Sequence, residues 1–325
     1  MIEMTRRLTF SAAHADWIEG KSPEENRRIF GSHASPEPYG HNYVLDVTVQ
    51  GDIETRTGIL VNIKEIDAIV RSRIIDRIHR RYLPIAIPCF ASQPLTLENL
   101  TRFIGENLQD AMPAPVALSS VQLAETPDKS CRWELVSNRL PAAIMTGTTF
   151  GGVELSNEHK SRPNKNKTDA AKDEETDREM DREARMLLTR GYEFAASHRL
   201  DSPRLTPEEN RALFGKCNYA NGHGHNYEVE VTVTGKLNPV SCRIIDPDQL
   251  DAIVHSAVID RYDHRHLNYD LPEFAGIVPS AEMITRIIWD RLVGEIPAPA
   301  RLYRVLLRET PRNIFEYYGE STEDS

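Results

Sequence analysis

Between Asn226 and Gly235 the chain reads NYEVEVTVTG, in which apolar and polar residues alternate and β-branched side chains dominate. That period of two predicts a half-buried strand that ends at the glycine. The period changes in DPDQLDAIVHSAVIDRY, where Leu250, Ile253, Val254, Ala257 and Val258 follow an acidic start. This is helical spacing behind an N-terminal cap. PSAEMITRIIWDRLVGEI repeats the helical pattern after Ser280, and RLYRVLLRET returns to a strand. With a strand-like FAASHRL in front, the order is strand, strand, helix, helix, strand, strand. It predicts an α+β domain, an antiparallel sheet with two helices on one face.

The same series occurs earlier in the chain. Pairing position 14 with 198, 30 with 214, 41 with 225, 76 with 260 and 125 with 309 gives one shift of 184 throughout. In that register PEENRRIFG meets PEENRALFG, GHNYVLDVTVQG meets GHNYEVEVTVTG, and LAETP meets LRETP. Loops drift in length more readily than the elements they join, so an ungapped match of this extent points to duplication of a whole domain. The expected organisation is a first domain at 1–155, a charged linker at 156–183 and a second domain at 184–325. The linker, SNEHKSRPNKNKTDAAKDEETDREMDRE, and the final GESTEDS have almost no large apolar side chains. They cannot offset their ordering entropy by burial and are expected to be flexible.

Composition narrows the classes of function. At 325 residues, with 40% hydrophobic and 27% charged residues, the chain reads as a soluble two-domain protein. No apolar run nears the roughly 18 residues of a membrane span. The opening MIEMTRRLTFSAAHADW lacks the apolar core of a secretory signal, so a cytoplasmic location is expected. Net charge is −10, and basic residues are mixed with acids. No basic stripe marks a nucleic-acid partner. Four cysteines at 89, 131, 217 and 242 lack metal-knuckle spacing, and their default state is the free thiol.

Candidate chemistry gathers in the second repeat. His223 and His225 stand two apart on the approach to a strand, so their side chains share a face. His198 lies on the preceding strand, where an antiparallel partner brings it alongside. Three neutral imidazoles with an open fourth position suit a catalytic zinc ion. An isolated His-Gly-His is more often a loop cap, but Cys217 and the segment DHRHLN at 263–268 tip the balance. An Asp–His pair, Asp263 with His264, is the kind of group that tunes a thiol acting as a base.

The phrases FAASHRL, LFGKCNYANGHGHNYEVEVTVTG, YDHRHLN, PSAEM and RETPRNIFEYYG resemble, in order and spacing, the 6-pyruvoyl-tetrahydropterin synthase family, which includes the 6-carboxytetrahydropterin synthases. The resemblance covers 190–319 and, through the repeat, 6–133. It implies two tandem tunnelling-fold (T-fold) domains, Zn2+ on His198, His223 and His225, Cys217 as catalytic base, and Asp263 with His264 as its activating pair. It implies Glu309 as the carboxylate that anchors the pterin ring. The implied substrate is 7,8-dihydroneopterin triphosphate, and the implied reaction is a lyase step that releases triphosphate and leaves 6-pyruvoyl-tetrahydropterin. The carboxy branch of the family, acting on the same substrate, is the alternative product. An inert pterin-binding or assembly protein is an alternative of another class, and a cyclohydrolase of the same fold would leave Cys217, Asp263 and His264 unexplained. Proteins of this family assemble as stacked three-domain rings, which implies a homo-oligomer, three fused chains or a multiple.

The shift of 184 replaces Cys217 by His33, His223 by Tyr39, and the Asp263–His264 pair by His79 and Arg80, whereas His14, His41 and Glu125 persist. The first domain is expected to be a degenerate copy kept for architecture. A sharper alternative is a rearranged metal site of His14, His33 and His41, and Glu125 is a candidate pterin anchor.

Overall fold

The computed structural model describes residues 2–53, 57–136 and 183–320. The expected linker, except its last residue, and the tail beyond 320 lie outside the described residues. The chain divides into two compact units, Met1–Trp133 with Met186–Ser325, and Glu134–Arg185. Both repeats lie in the first unit.

The first repeat contributes strands β1 (Ile2–His14), β2 (Tyr39–Gly51), β3 (Arg81–Tyr82), β4 (Ala117–Thr126) and β5 (Lys129–Val136). The second contributes β6 (Glu183–His198), β7 (His223–Thr234), β8 (Arg265–His266), β9 (Arg301–Thr310) and β10 (Asn313–Tyr317). They form one sheet ordered β10-β9-β7-β6-β5-β4-β2-β1-β3, with β8 beside β6. Each repeat is thus a T-fold sheet of four long strands with a two-residue strand paired parallel to its first, and the last strand of the first repeat adjoins the first strand of the second. The backbone N–H of Gly191 donates to the carbonyl of Asp128 at 2.8 Å where the two sheets meet.

Alternation along β2 buries Tyr43, Leu45, Val47 and Val49. Against that face pack Ile66 and Val70 of helix Ile63–Val70 and Leu100, Ile104 and Leu108 of helix Leu97–Leu108. The second repeat does the same with Tyr227, Val229, Val231 and Val233, under helices Pro247–Val254 and Ala281–Leu292. The duplicated core shows in detail: Phe10 stacks on Tyr43 at 4.9 Å between centroids, and Phe194 stacks on Tyr227 at 5.0 Å.

The shared phrase PEENR begins a short helix in both repeats. Thr206 accepts from the backbone N–H of Glu209 at 3.2 Å while the Glu209 carboxylate accepts from the N–H of Thr206 at 2.7 Å. Ser22 and Glu25 form the same reciprocal cap. These two bonds satisfy helix donors that would otherwise lack partners. The buried Asn210 amide then ties the helix to Ser202, accepting from its N–H at 2.7 Å. Such ties fix where the loop carrying residue 217, or 33, leaves the helix.

Candidate metal centre and its counterpart in the first repeat

In the antiparallel register of β6 and β7, Ala196 faces His225 and His198 faces His223. That pairing converts a two-residue spacing and a distant histidine into one cluster. The ligand nitrogens of His198, His223 and His225 all lie within 4.8 Å of one another. Nε2 of His198 and Nε2 of His223 are 3.2 Å apart.

His198 is buried, and its Nδ1–H donates to the carbonyl of Pro279 at 2.7 Å. A carbonyl can only accept, so this bond fixes the tautomer and leaves the Nε2 lone pair free to face its neighbours. Burial lowers the His198 imidazole pKa to about 4, and the adjacent imidazoles add to that shift. Burial also depresses His225. His198 is therefore a neutral donor near pH 7. Nε2 of His225 is buried with no hydrogen-bond partner, an orphaned acceptor of the kind a cation satisfies. The residues fit a zinc ion by chemistry, number and proximity.

The glycine before the first ligand of β7 is required by its surroundings. Gly222 has φ +67°, and a Cβ there would stand 2.4 Å from the carbonyl oxygen of His198. Only glycine lets the loop cross the end of β6 so closely.

Glu309, at the end of β9, holds Oε1 at 3.8 Å from His198 Nε2 and 3.9 Å from His225 Nε2. Its other oxygen accepts from the Asn313 amide at 3.2 Å. Cys217 is half-buried in the turn Gly215–Asn218, and its carbonyl accepts from the N–H of Leu200 at 2.9 Å, just beyond His198. The Asp263 carboxylate accepts from the N–H of Ala195 and bonds His264 Nδ1, each at 2.8 Å. The Ala195 N–H, and then His264, keep the Asp263 carboxyl below its usual range. His264 has φ +58°, and its side chain is 84% exposed. No hydrogen bond or ion pair among the described residues joins this pair to Cys217. The structure brings the three histidines and Glu309 together, and it leaves the Asp–His pair apart from the thiol within one chain.

The first repeat assembles a different set. His14 faces Tyr39 across β1 and β2, and Ala12 faces His41. Tyr39 donates its hydroxyl to Asp16 at 2.7 Å. The ligand atoms that cluster are those of His14, His41 and Glu125. His33 is not among them; its Nε2 sits 2.9 Å from Asp248 of the second repeat. The expected trio His14, His33 and His41 therefore does not converge, because the turn points position 33 toward the neighbouring domain. Lys129 places its ammonium 2.5 Å from Glu125 Oε2. Burial alone would raise the Glu125 carboxyl, yet Lys129, His41 and His14 hold it below its usual value. A fixed cation already occupies the place at that carboxylate where the second repeat has Asn313. His79 bonds the N–H of Ser11 at 3.2 Å, and Arg80 has φ +57°.

A cavity of about 120 Å³ lies beside this cluster, lined from the first repeat by His14, Tyr39, Glu98 and Lys129 and from the second by Arg190 and Arg243. Glu98, only 3% exposed, has its carboxyl pushed up by burial and accepts from the N–H of Ile244 at 3.3 Å. Sequence reasoning did not single out Glu98 or Lys129. The signal for Glu98 was present: the shift of 184 carries it onto Glu282, in TLEN and SAEM. Lys129 had none, since its repeat partner is Asn313.

The fold and these clusters define a duplicated T-fold enzyme whose second copy keeps a complete three-imidazole cluster. The family model for 6-pyruvoyl tetrahydropterin synthase matches residues 3–135 and 187–320. The human 6-pyruvoyl tetrahydrobiopterin synthase is 42% identical over 139 residues, covering 43% of this chain and 95% of that protein. The Poecilia reticulata protein of the same name is 41% identical over 133 residues, covering 41% of this chain and 90% of that protein. A solved Caenorhabditis elegans 6-pyruvoyl tetrahydropterin synthase is 39% identical, with a TM-score of 0.40, covering 41% of this chain and 95% of that one. The chain belongs to the 6-pyruvoyl tetrahydropterin synthase family, a family of lyases, and carries its domain twice.

Proposed function

We propose that the second repeat is a zinc-dependent lyase that converts 7,8-dihydroneopterin triphosphate to 6-pyruvoyl-tetrahydropterin with release of triphosphate, and that the first repeat is its degenerate partner. The observation that carries this reading is the convergence of His198, His223 and His225 with an orphaned Nε2 beside Glu309, in a chain of this family.

His198, His223 and His225 would hold the ion. A zinc ion bound there supplies Lewis acidity toward the side-chain hydroxyls of the substrate. Glu309 accepts paired hydrogen bonds from the amino and ring N–H groups of the pterin, the geometry a carboxylate serves well. The Cys217 thiolate removes the carbon-bound proton of the side chain. The Asp263–His264 pair activates the thiol; among the described residues no hydrogen bond or ion pair joins it to Cys217 within one chain. The ring is reduced at the expense of its own side chain, so no redox cofactor is required.

Incubating the zinc-loaded protein with 7,8-dihydroneopterin triphosphate and identifying the product by mass tests the reading. The expected product is 6-pyruvoyl-tetrahydropterin, with about one zinc per chain. A 6-carboxytetrahydropterin product would place the chain in the other branch. An unconsumed substrate would overturn the enzymatic assignment in favour of a pterin-binding protein.

A further inference from the structure

Cys217 lies between two glycine hinges. Residues 215–222 read GKCNYANG, and the glycines at both ends take left-handed φ values of +52° and +67°. The matching loop of the first repeat, GSHASPEP, keeps the first glycine at φ +65° but has prolines at 36 and 38, which fix their own φ. A thiol between two glycines keeps one position only if groups outside the loop hold it there.

Four polar side chains hold it. Arg199, directly after the ligand His198, donates from Nε to the Asn218 carbonyl at 3.2 Å and from Nη2 to the Asp201 carboxylate at 3.1 Å. The amide of Asn218, a residue only 6% exposed, donates to the same Asp201 oxygen at 2.8 Å and to the Leu200 carbonyl at 2.7 Å. Leu200 in turn gives its N–H to the Cys217 carbonyl at 2.9 Å. On the other side, the Asn268 amide grips the backbone of Arg199, accepting from its N–H at 2.8 Å and donating to its carbonyl at 2.9 Å. The end of β6 is thereby stitched to the thiol's turn and to the segment that follows Asp263 and His264.

The shift of 184 places Ala15, Trp17, Ala34 and Pro84 at these four positions, and His33 at the position of Cys217. None of them offers the guanidinium, carboxylate or amides that the bonds require. Neighbouring bonds survive in both copies: Asn26 accepts from the N–H of Ile18 at 2.8 Å, as Asn210 does from Ser202 at 2.7 Å. The first repeat forms the same strands and helices without the network, and anchors its turn instead through His33 on Asp248 at 2.9 Å. The network therefore belongs to the copy that carries the thiol, and the fold does not depend on it.

We propose that Arg199, Asp201, Asn218 and Asn268 are positioning residues for Cys217, which fix the thiol relative to the cluster of His198, His223 and His225. Asp263 is bonded at Ala195, a ligand stands at 198, and Asn268 and the thiol's turn are bonded at 199. Three parts of the site thus take their places from one short stretch of chain. Such groups must be held to within about 0.5 Å of the productive geometry. The Arg199 guanidinium is directed to the turn and not to a polyphosphate.

The inference rests on Cys217 as the base of the proposed lyase, and one arm of the test is independent of that reading. Arg199→Ala and Asn218→Ala install the residues that the first repeat carries at these positions, so both chains should fold with zinc content and melting temperature close to wild type. Their kcat is expected to fall about tenfold to a hundredfold while KM stays within about twofold. A raised KM with unchanged kcat would make Arg199 a substrate-binding group and overturn the proposal, as would unchanged values of both. Arg199→Lys keeps the charge but lacks the fork that reaches Asn218 and Asp201 together, and should be as slow as Arg199→Ala. Full recovery with lysine would assign the effect to charge and not to position. Should an alanine variant fail to fold, Asn268→Asp decides, because it exchanges a single donor: kcat lower by about threefold or more with zinc retained supports the brace, and unchanged kcat overturns it. Hydrogen exchange at the Leu200 amide, which bonds the Cys217 carbonyl, reads the brace without substrate and should quicken about tenfold or more in Asn218→Ala. An unchanged exchange rate would show that these side chains do not hold the turn. If the wild-type chain fails to turn over substrate, the lyase reading falls, while exchange at Leu200 still decides what holds Cys217.

Discussion

Replacing Gly222 by alanine tests whether the approach of the loop to β6 sets the metal ligands. The residue sits at φ +67°, where a side chain costs about 1–2 kcal/mol. The new Cβ would lie 2.4 Å from the carbonyl oxygen of His198, against the 3.0 Å that Cβ atoms respect. Backbone on at least one side must therefore yield by about half an ångström, and overpacking of this sort adds roughly 1–3 kcal/mol. The atoms that yield belong to residues 198 and 222, and His223 is the next residue. Metal–ligand distances tolerate shifts of only about 0.2 Å. The expected result is a fall in zinc affinity of about tenfold or more, read by competition with a chromogenic chelator, together with a lowered melting temperature. Gly276→Ala is the control: it has φ +74° and open space within 4 Å, so it carries the backbone strain without moving a ligand. If Gly222→Ala and Gly276→Ala bind zinc equally well, the close approach does not position His223 and the reasoning fails.

Cys217→Ala is expected to abolish turnover with zinc still bound, whereas Cys89→Ala should leave turnover intact; equal losses would count against the thiol as base. In metal-free protein, His198 ionises near pH 4 when folded and near 6.5 when unfolded, so the unfolded chain binds more protons between those values. Stability should then be complete above about pH 6.5 and decline by up to about 3 kcal/mol toward pH 4, and His198→Gln should flatten that part of a denaturation-against-pH curve. Tyr39→His combined with Lys129→Asn removes the fixed cation at Glu125 and restores a third imidazole beside His14 and His41. Zinc content measured by atomic emission should rise from about one to about two per chain. A content that stays at one would show that the first repeat lost its metal for another reason.

Periodicity carried the fold because each repeat is self-consistent. Strands such as 226–235 alternate, helices such as 281–292 keep one apolar stripe, and the reciprocal caps at Ser22–Glu25 and Thr206–Glu209 are local events written within four residues. The histidine cluster was legible for a related reason: two ligands share a strand face, and the third needs only the neighbouring antiparallel strand. His33 shows where this kind of inference stops. Its type and its place in the phrase fit a ligand, but the turn carries it to Asp248, 215 residues away in the chain. Glu98 and Arg190 are equally silent locally, since each becomes part of a pocket only when two domains meet.

The sequence by itself determined the duplicated domain, its element order, and which repeat kept three imidazoles, because these depend on contacts within one period, one cap or one pair of adjacent strands. Tertiary structure alone decided that β5 adjoins β6, that Lys129 neutralises Glu125, and that the far wall of a pocket comes from the next domain. Those outcomes depend on distances between residues far apart in the chain, and only packing sets them.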